Sequence, residues 1–427
     1  MVEKLIEISL KNRAIVLLLS AVLFGWGIYS INKNPIDAIP DLSENQVIVF
    51  TEWMGRSPQV IEDQITYPLV SNLQGIPKIK NIRAASMFGM SFVYVIFEED
   101  VDVYWARTRV LERLNYAQRL LPQNVVPSLG PDGTGVGHVF WYHLEANGMD
   151  LGEQRALQDW YVKFALQTVH GVSEVASFGG FEKQYQVVLD PLKMQYYNVS
   201  MMDVMKLVKA SNNDVGGRKF EMSDMAYIIR GLGYIKNIND LENTAIKNYN
   251  SVPVRLSDIG SVQMGGDLRL GIFDQNGEGE VVGGIVVMRY GENADKVIKD
   301  IKLKMKEVEK GLPKGVTFKV SYDRSELIEA AVESVKGTLI EEMIATSIVV
   351  LLFLFHWRSA LIILIQLPIS VAIGFILLEA FGLSSNIMSL TGIALAIGVV
   401  VDDGIVMVEN AYRSISDRQE ELSNPNE

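Results

Sequence analysis

The sequence contains no cysteine. That excludes disulfides, thiolate metal sites and cysteine nucleophiles, and it leaves the redox compartment open. Histidine is nearly as scarce, with His138, His143, His170 and His356 the only four in 427 residues. No two have the helical spacing of a metal-binding pair, and His138 and His143, five apart in a strand-like run, face opposite ways. A histidine-rich zinc site is therefore not expected within the chain. There is no P-loop, no glycine fingerprint opening a helix and no nucleophile–base–acid set. The glycine-rich NGEGEVVGG at 276–284 precedes a strand and reads as a hairpin turn. An enzyme is not expected. Basic residues are in deficit, 39 against 51 acidic ones, and the net charge of −12 argues against a nucleic-acid partner.

What is present is apolar sequence in long uncharged runs. Residues 14–31 carry no charge between Arg13 and Lys33, enough for one membrane span. A signal peptide competes, because Lys4, Lys11 and Arg13 would form a basic leader. Against it, the apolar run is long and no small-x-small cleavage site follows in SINKNP. Three more runs crowd the other end: 337–355 with Glu341 and Glu342 near its entry, 360–378 with Gln366 and Pro368, and 387–408. Their connectors, HWRS and EAFGLSSN, are short enough to predict antiparallel hairpins. Lys4, Lys11, Arg13, Arg358, Arg413 and Arg418 fall on one side, whereas EAFGLSSN has Glu379 and no basic residue. The positive-inside rule then places both termini in the cytoplasm. The expected fold class is an α+β membrane protein with four transmembrane helices and one large external domain.

The external part alternates. A strand is expected at 46–53, a helix from Ser57-Pro58 to 73, and strands at 82–86 and 91–97 joined through Gly89. Asp102 caps a helix whose apolar positions, Val103, Ala106, Val110, Leu114, Ala117 and Leu121, recur with a 3.6-residue period. A strand follows at 137–145. This β-α-β-β-α-β order is the ferredoxin-like split motif. A similar unit recurs with helices at 154–169 and 294–310 and strands at 174–177, 184–189, 281–290 and 316–320. Between 191 and 268 lies an insertion of the kind that serves docking. SYDRSELIEAAVESVKG then reads as a helix capped at Ser325 that continues into the second span and would carry movement into the membrane.

The residues that bear chemistry are methionines and acids. Among 17 methionines, Met201, Met202 and Met205 share a helical run, and Met87 and Met90 flank a turn. Thioethers suit monovalent copper or silver, and filling a core is the alternative use. The stretch 391–410, TGIALAIGVVVDDGIVMVEN, puts Asp402 and Asp403 inside a membrane helix, where each costs roughly 2.5–3.5 kcal/mol to insert. Glu409 lies two turns beyond Asp402 on nearly the same face. Gly392, Ala394, Ala396 and Gly398 allow another helix to approach closely. No Lys or Arg occurs inside the four expected spans. Two such carboxylates do not both stay ionised unless a cation comes from elsewhere, which is the behaviour of a proton relay. The other reading is a structural acid bonded across helices, with Glu409 at the headgroups.

Long ordered motifs also match a known family. NPIDAIPDLSENQVIV at 34–49, LGPDGTGVG at 129–137, ALQDWYVKF at 156–164, GEGEVVGGIVVMRYG at 277–291, SYDRSELI at 321–328 and NIMSLTGIALAIGVVVDDGIVMVENAYR at 386–413 resemble the heavy-metal efflux (CusA/CzcA-type) branch of the resistance-nodulation-division (RND) transporters. The resemblance implies a cytoplasmic start and first span at 1–32, porter subdomains at 33–133 and at 134–189 with 269–335, and a docking insertion at 190–268. Spans two to four would cover 336–410 and a cytoplasmic tail 411–427. It implies a homotrimer in the inner membrane, joined to a periplasmic adaptor and an outer-membrane channel and driven by proton import. No cofactor is implied beyond the transported metal ion as substrate and the proton as coupling ion.

By position, Asp402 matches the relay aspartate, and Asp403 makes the pair seen in the drug-efflux branch, where many metal exporters have a small residue. Exporters of zinc, cobalt or cadmium tend to carry an acid six residues before the relay aspartate, where this chain has Ala396. Met388 and Met407 match transmembrane methionines of copper and silver exporters, although Val400 and Leu268 stand where those can carry methionine. Copper or silver is the expected cargo. The family has two tandem halves, so the chain is expected to be an N-terminal fragment or one piece of a split gene, and not to transport alone. The relay's basic partner and the main metal site would lie in the missing C-terminal half. A multidrug exporter of the same superfamily and a non-transporting assembly component remain as alternatives.

Overall fold

The computed structural model describes residues 2–146, 148–222, 225–249, 251–269, 271–354 and 357–423. Its contacts divide the chain into two units, one of Met1–His143, Val162–Ala176 and Gly284–Glu427, the other of Leu144–Tyr161 and Ser177–Gly283.

In the first unit, alternate burial of Val47, Val49 and Thr51 gives β1 (Gln46–Glu52) one face for a core and one for solvent. β2 (Ile79–Met87) and β3 (Met90–Phe97) form an antiparallel hairpin, and β4 (Ser128–Leu129) is a short edge. The sheet order is β2-β3-β1-β4. α2 (Val103–Ala117) buries Ala106, Val110, Leu114 and Ala117, and the Asp102 carboxylate accepts the Trp105 N–H at 2.7 Å. Ile61, Ile65, Leu69 and Leu73 complete this core from the helical run after Pro58. Burying each of these aliphatic side chains contributes about 1.5–3 kcal/mol. The expected Ser57 cap differs in detail. The helix does start at Pro58, but the Ser57 side chain makes no capping bond. A π-turn at Glu62–Thr66 interrupts the run, and there the Thr66 hydroxyl lies 2.8 Å from both Ser86 and Ser91.

A second four-stranded sheet runs β14-β5-β13-β6, formed by β5 (His138–Ala146), β6 (Val172–Phe178), β13 (Val282–Met288) and β14 (Val316–Asp323). The strand expected at 137–145 to close the first motif lies in this sheet instead, because β4 already pairs with β1 at Val49 and Phe50, and the strand expected at 184–189 pairs with 260–266 rather than here. α4 (Ala294–Glu309) turns Ala294, Val297, Ile298, Ile301, Met305 and Val308 inward, and Asn293 caps it by accepting the Lys296 N–H at 3.1 Å. After β14 the chain enters α5 (Arg324–Leu354), which is unbroken for 31 residues. Its expected cap at Ser325 is supplied two residues earlier, because the Asp323 carboxylate accepts the Ser325 N–H at 2.9 Å.

The remaining helices of this unit are α1 (Arg13–Lys33), α6 (Trp357–Ala380) and α7 (Ile387–Ser423). Among the described residues, α1 and the Ile387–Gln419 part of α7 are long and apolar enough to cross a bilayer, and Ile365–Ala380 is a shorter apolar stretch. His356, in the connector expected between the second and third spans, lies outside the described residues. α1 approaches α6 through Gly27, which is buried against the backbone and Cβ of Ala372.

In the second unit, β7 (Lys183–Leu189) pairs antiparallel with β12 (Gly260–Gly266), and β10 (Ala245–Tyr249) with β11 (Val252–Arg255). α3 (Met201–Ser211) opens with a capping box in which Ser200 and Asp203 each bond the other's backbone N–H. Val199, Val204, Leu241, Ile246, Val254, Leu256, Ile259 and Val262 form the core. Met201, Met202 and Met205 lie outside it, 63%, 72% and 60% exposed, so core filling is not their use. The ribbon of β8 (Val215–Met222) and β9 (Met225–Gly231) is exposed along its whole length.

The contact between Gly27 and Ala372 leaves no room for a side chain. Gly27→Ala is expected to destabilise the helical part by about 1–3 kcal/mol through overpacking. Adding Ala372→Gly should recover only the part due to the Ala372 Cβ, because the Ala372 Cα and carbonyl oxygen also stand within 2.8 Å of the added carbon; Gly27→Ala unfolding at the parent's temperature in detergent would contradict this packing.

Candidate functional site

One face of α7 is committed to packing. Ile397 and Val401 are buried with Leu367 of α6, and Met343, Val371, Ile393, Val400 and Ile405 pack around them. Gly404 continues that face. A Cβ there would stand 2.8 Å from the Gln366 Oε1, so glycine lets this amide lie against the helix, where its Nε2 donates to the Val400 carbonyl at 3.5 Å. Each residue turns the helix by about 100°, so the packing of Val401 and Gly404 directs Asp402 and Asp403 outward. Both are exposed on this chain, as is Glu409, about 10 Å further along the axis from Asp402. Among the described residues neither aspartate has an ion-pair partner.

Met388 and Met407 are 68% and 59% exposed and stand at opposite ends of the apolar stretch, about 28 Å apart along the helix. The structure does not bring them together. Met388 instead lines a cavity of about 600 Å³ with Asp37, Asp41, Met288, Glu292 and Asn386. Met288 went unnoticed in the sequence because it ends a continuous apolar run that looks like plain core. No group of three or more His, Asp or Glu side chains converges among the described residues.

The wall of that cavity ties α7 to the rest of the unit. The segment after α1 runs beside the start of α7: Asp37 N–H donates to the Ser385 carbonyl at 3.0 Å, Ser385 N–H to Pro35 at 2.9 Å, and Ile387 N–H to Ala38 at 3.2 Å. Asn34 Nδ2 adds a buried bond to Ser385 Oγ at 3.0 Å. The Asp37 carboxylate in turn holds the buried Arg324, whose Nη1 reaches it at 3.3 Å while Nη2 donates to the His138 carbonyl at 3.1 Å. A half-buried Glu379 at the end of α6 accepts from Lys33 at 2.7 Å and from Ser30, fastening α6 to α1. The root of α5 has its own clamp. Asp323 pairs with Lys302 of α4, which also donates to Ser325 Oγ at 2.9 Å. Burial pushes the Asp323 carboxyl up, but the Lys302 ammonium and the bonds from Ser325 outweigh it and hold the group below its ordinary value.

A sequence model of the AcrB/AcrD/AcrF family matches residues 5–425. The chain belongs to this family. The cation efflux system protein CusA of Escherichia coli (strain K12) is 45% identical over 422 residues, which cover 98% of this chain and 40% of CusA. The cobalt-zinc-cadmium resistance protein CzcA of Cupriavidus metallidurans is 35% identical over 434 residues, covering 100% of this chain and 40% of CzcA. The crystal structure of a heavy metal efflux pump superposes with a TM-score of 0.85 at 33% identity, over 96% of this chain and 41% of the pump. The chain thus spans about two fifths of the length of these relatives. By their names these relatives serve cation efflux, cobalt, zinc and cadmium resistance, and heavy metal efflux.

Because the folded Asp323 titrates below its unfolded value, its contribution to stability is present above the ordinary carboxylate range and is lost as pH falls through the folded value. Amide exchange over residues 324–330, corrected for intrinsic rates, is expected to accelerate as pH drops below about 4. Lys302→Met should move that onset to higher pH. An onset unchanged by Lys302→Met would contradict the clamp.

Proposed function

We propose that the chain is the N-terminal part of a proton-driven exporter of monovalent copper or silver, set in the inner membrane with both termini in the cytoplasm. The observation that carries this reading is the Asp402–Asp403 pair, held on the outward face of an apolar helix with no cation beside it among the described residues. A carboxylate in that position gains from an incoming proton or an approaching cation, and switching between the two is the work of a relay. Protonation of Asp402 removes its demand for a cation and changes where the helix is best placed. Glu409 and Asp403 assist on the same surface.

Movement of α7 has a route outward in this reading. Its root is hydrogen-bonded to the segment at Pro35–Ala38, and Asp37 links that segment through Arg324 to the start of α5 and to β5. The helices α1, α5, α6 and α7 serve as four spans. The two four-stranded sheets serve as ferredoxin-like porter subdomains, within 33–133 and within 134–189 with 269–335, and residues 190–268 as the docking insertion, to whose strand at 260–266 the strand at 183–189 is paired. An isolated two-stranded ribbon is marginal in water. The exposed β8–β9 ribbon, with Phe220, Ile228 and Ile229 uncovered, supports docking to further copies in a homotrimer. A periplasmic adaptor and an outer-membrane channel complete the assembly.

The donor set favours a soft cargo. The chain offers thioethers rather than thiolates, Ala396 stands in place of a further acid, and Met388 opens onto the cavity beside Asp37 and Met288. The metal ion is substrate and the proton is the coupling ion.

In liposomes holding the complete assembled transporter, Asp402→Asn should abolish silver- or copper-stimulated proton flux while leaving assembly intact by size-exclusion chromatography. Flux at the parent rate in Asp402→Asn would overturn the relay. Stimulation by zinc and not by silver or copper would overturn the cargo assignment.

A further inference from the structure

The tip of the β2–β3 hairpin gathers methionines from two separate stretches of chain. Met87 and Met90 are cross-strand partners on either side of Phe88-Gly89, so their side chains leave the same face of the sheet with Cβ atoms about 5 Å apart. Gly89 takes a left-handed φ of 71° to close the turn. Its N–H donates to the Arg56 carbonyl at 2.9 Å, and its carbonyl accepts the Trp53 N–H at 2.8 Å. These two bonds pin residues 53–56 across the turn and bring Met54 onto it. A Cβ built on Gly89 would stand 2.9 Å from the Met54 Sδ and 3.1 Å from its Cα, so the absence of a side chain at 89 is what lets this thioether lie against the turn. Glu52 is the cross-strand partner of Met90 on the other side and adds one exposed carboxylate to the same face.

Core filling does not account for this cluster. The core-facing row of the sheet is Thr51, Ser91 and Val93, which are fully buried, and Met90 and Glu52 lie on the opposite face. Met54 and Met87 are 51% and 50% exposed, and Met90 is half-buried. Three flexible thioethers beside one carboxylate, in a chain with no cysteine, make a donor set for a soft monovalent cation and a poor one for zinc or magnesium.

We propose that Met54, Met87 and Met90 form a binding site for monovalent copper or silver at this hairpin tip, with Glu52 offsetting the charge of the ion. The site is distinct from Met388 and Met407 on α7. Its role as a station for cargo rests on the reading given under Proposed function, whereas binding itself does not.

The test uses the full chain purified in detergent, labelled at the methionine methyl carbons and titrated with silver nitrate in chloride-free buffer. The Met54, Met87 and Met90 methyl resonances should shift together and saturate with one silver ion. The triple variant Met54→Leu, Met87→Leu, Met90→Leu should bind one equivalent fewer, while the signal of Met305, buried in the same unit, matches the parent and reports an intact fold. Resonances that do not move in the folded parent, or a triple variant with the parent's stoichiometry, overturn the site. If the three resonances move but the complete transporter exports neither silver nor copper, the site stands and the cargo reading falls. If export proceeds and the resonances stay put, the reverse holds.

Discussion

A carboxylate within apolar surroundings needs a proton, a cation or a dense set of hydrogen-bond donors, and among the described residues no cation stands beside Asp402 or Asp403. Each acid costs roughly 2.5–3.5 kcal/mol to insert, a large fraction of the stability of an ordinary domain. The packing of the helix makes the arrangement specific. Val401 and Gly404 fit against α6, the latter only because the Gln366 amide occupies the space a side chain would take. The two acids are thereby held on the face left open; in the function proposed above, the other half of their interaction comes from another part of the assembly.

The rest of the first unit is arranged around the ends of that helix. The segment at Pro35–Ala38 hydrogen-bonds to the start of α7, and Asp37 passes the connection to Arg324. Arg324 opens α5, an uninterrupted helix rooted at its start by Asp323 and Lys302. A buried arginine bound to one carboxylate and one carbonyl is costly to leave half-paired, so this junction resists sliding and is suited to transmit rather than absorb a displacement. Glu379 does the same between α1 and α6 on a more exposed footing.

Local periodicity carried much of this into view before any coordinates. The buried positions of α2 follow from the spacing of Ala106, Val110, Leu114 and Ala117, and Asp102 caps the helix as its position indicates. Asp402 and Asp403 were legible because charge inside an uncharged run has few explanations. Contacts between distant stretches were not legible. Asp37 and Arg324 are 287 positions apart, and nothing in either neighbourhood names the other. Met54 is the same case: it looks like an incidental loop residue until two backbone bonds at Gly89 fold it onto the turn between Met87 and Met90. The Ser57 cap failed because the chain placed Pro58 correctly but let the serine hydroxyl go unused.

In the function proposed above, the acids of α7 are one side of an ion pair completed beyond these residues. A structure of the complete assembly in lipid, at a resolution that shows side chains, addresses it most directly. A Lys or Arg nitrogen is expected within about 4 Å of an Asp402 oxygen in at least one protomer. Asp402 facing lipid, or packed in every protomer among apolar side chains with no basic group in reach, would contradict it.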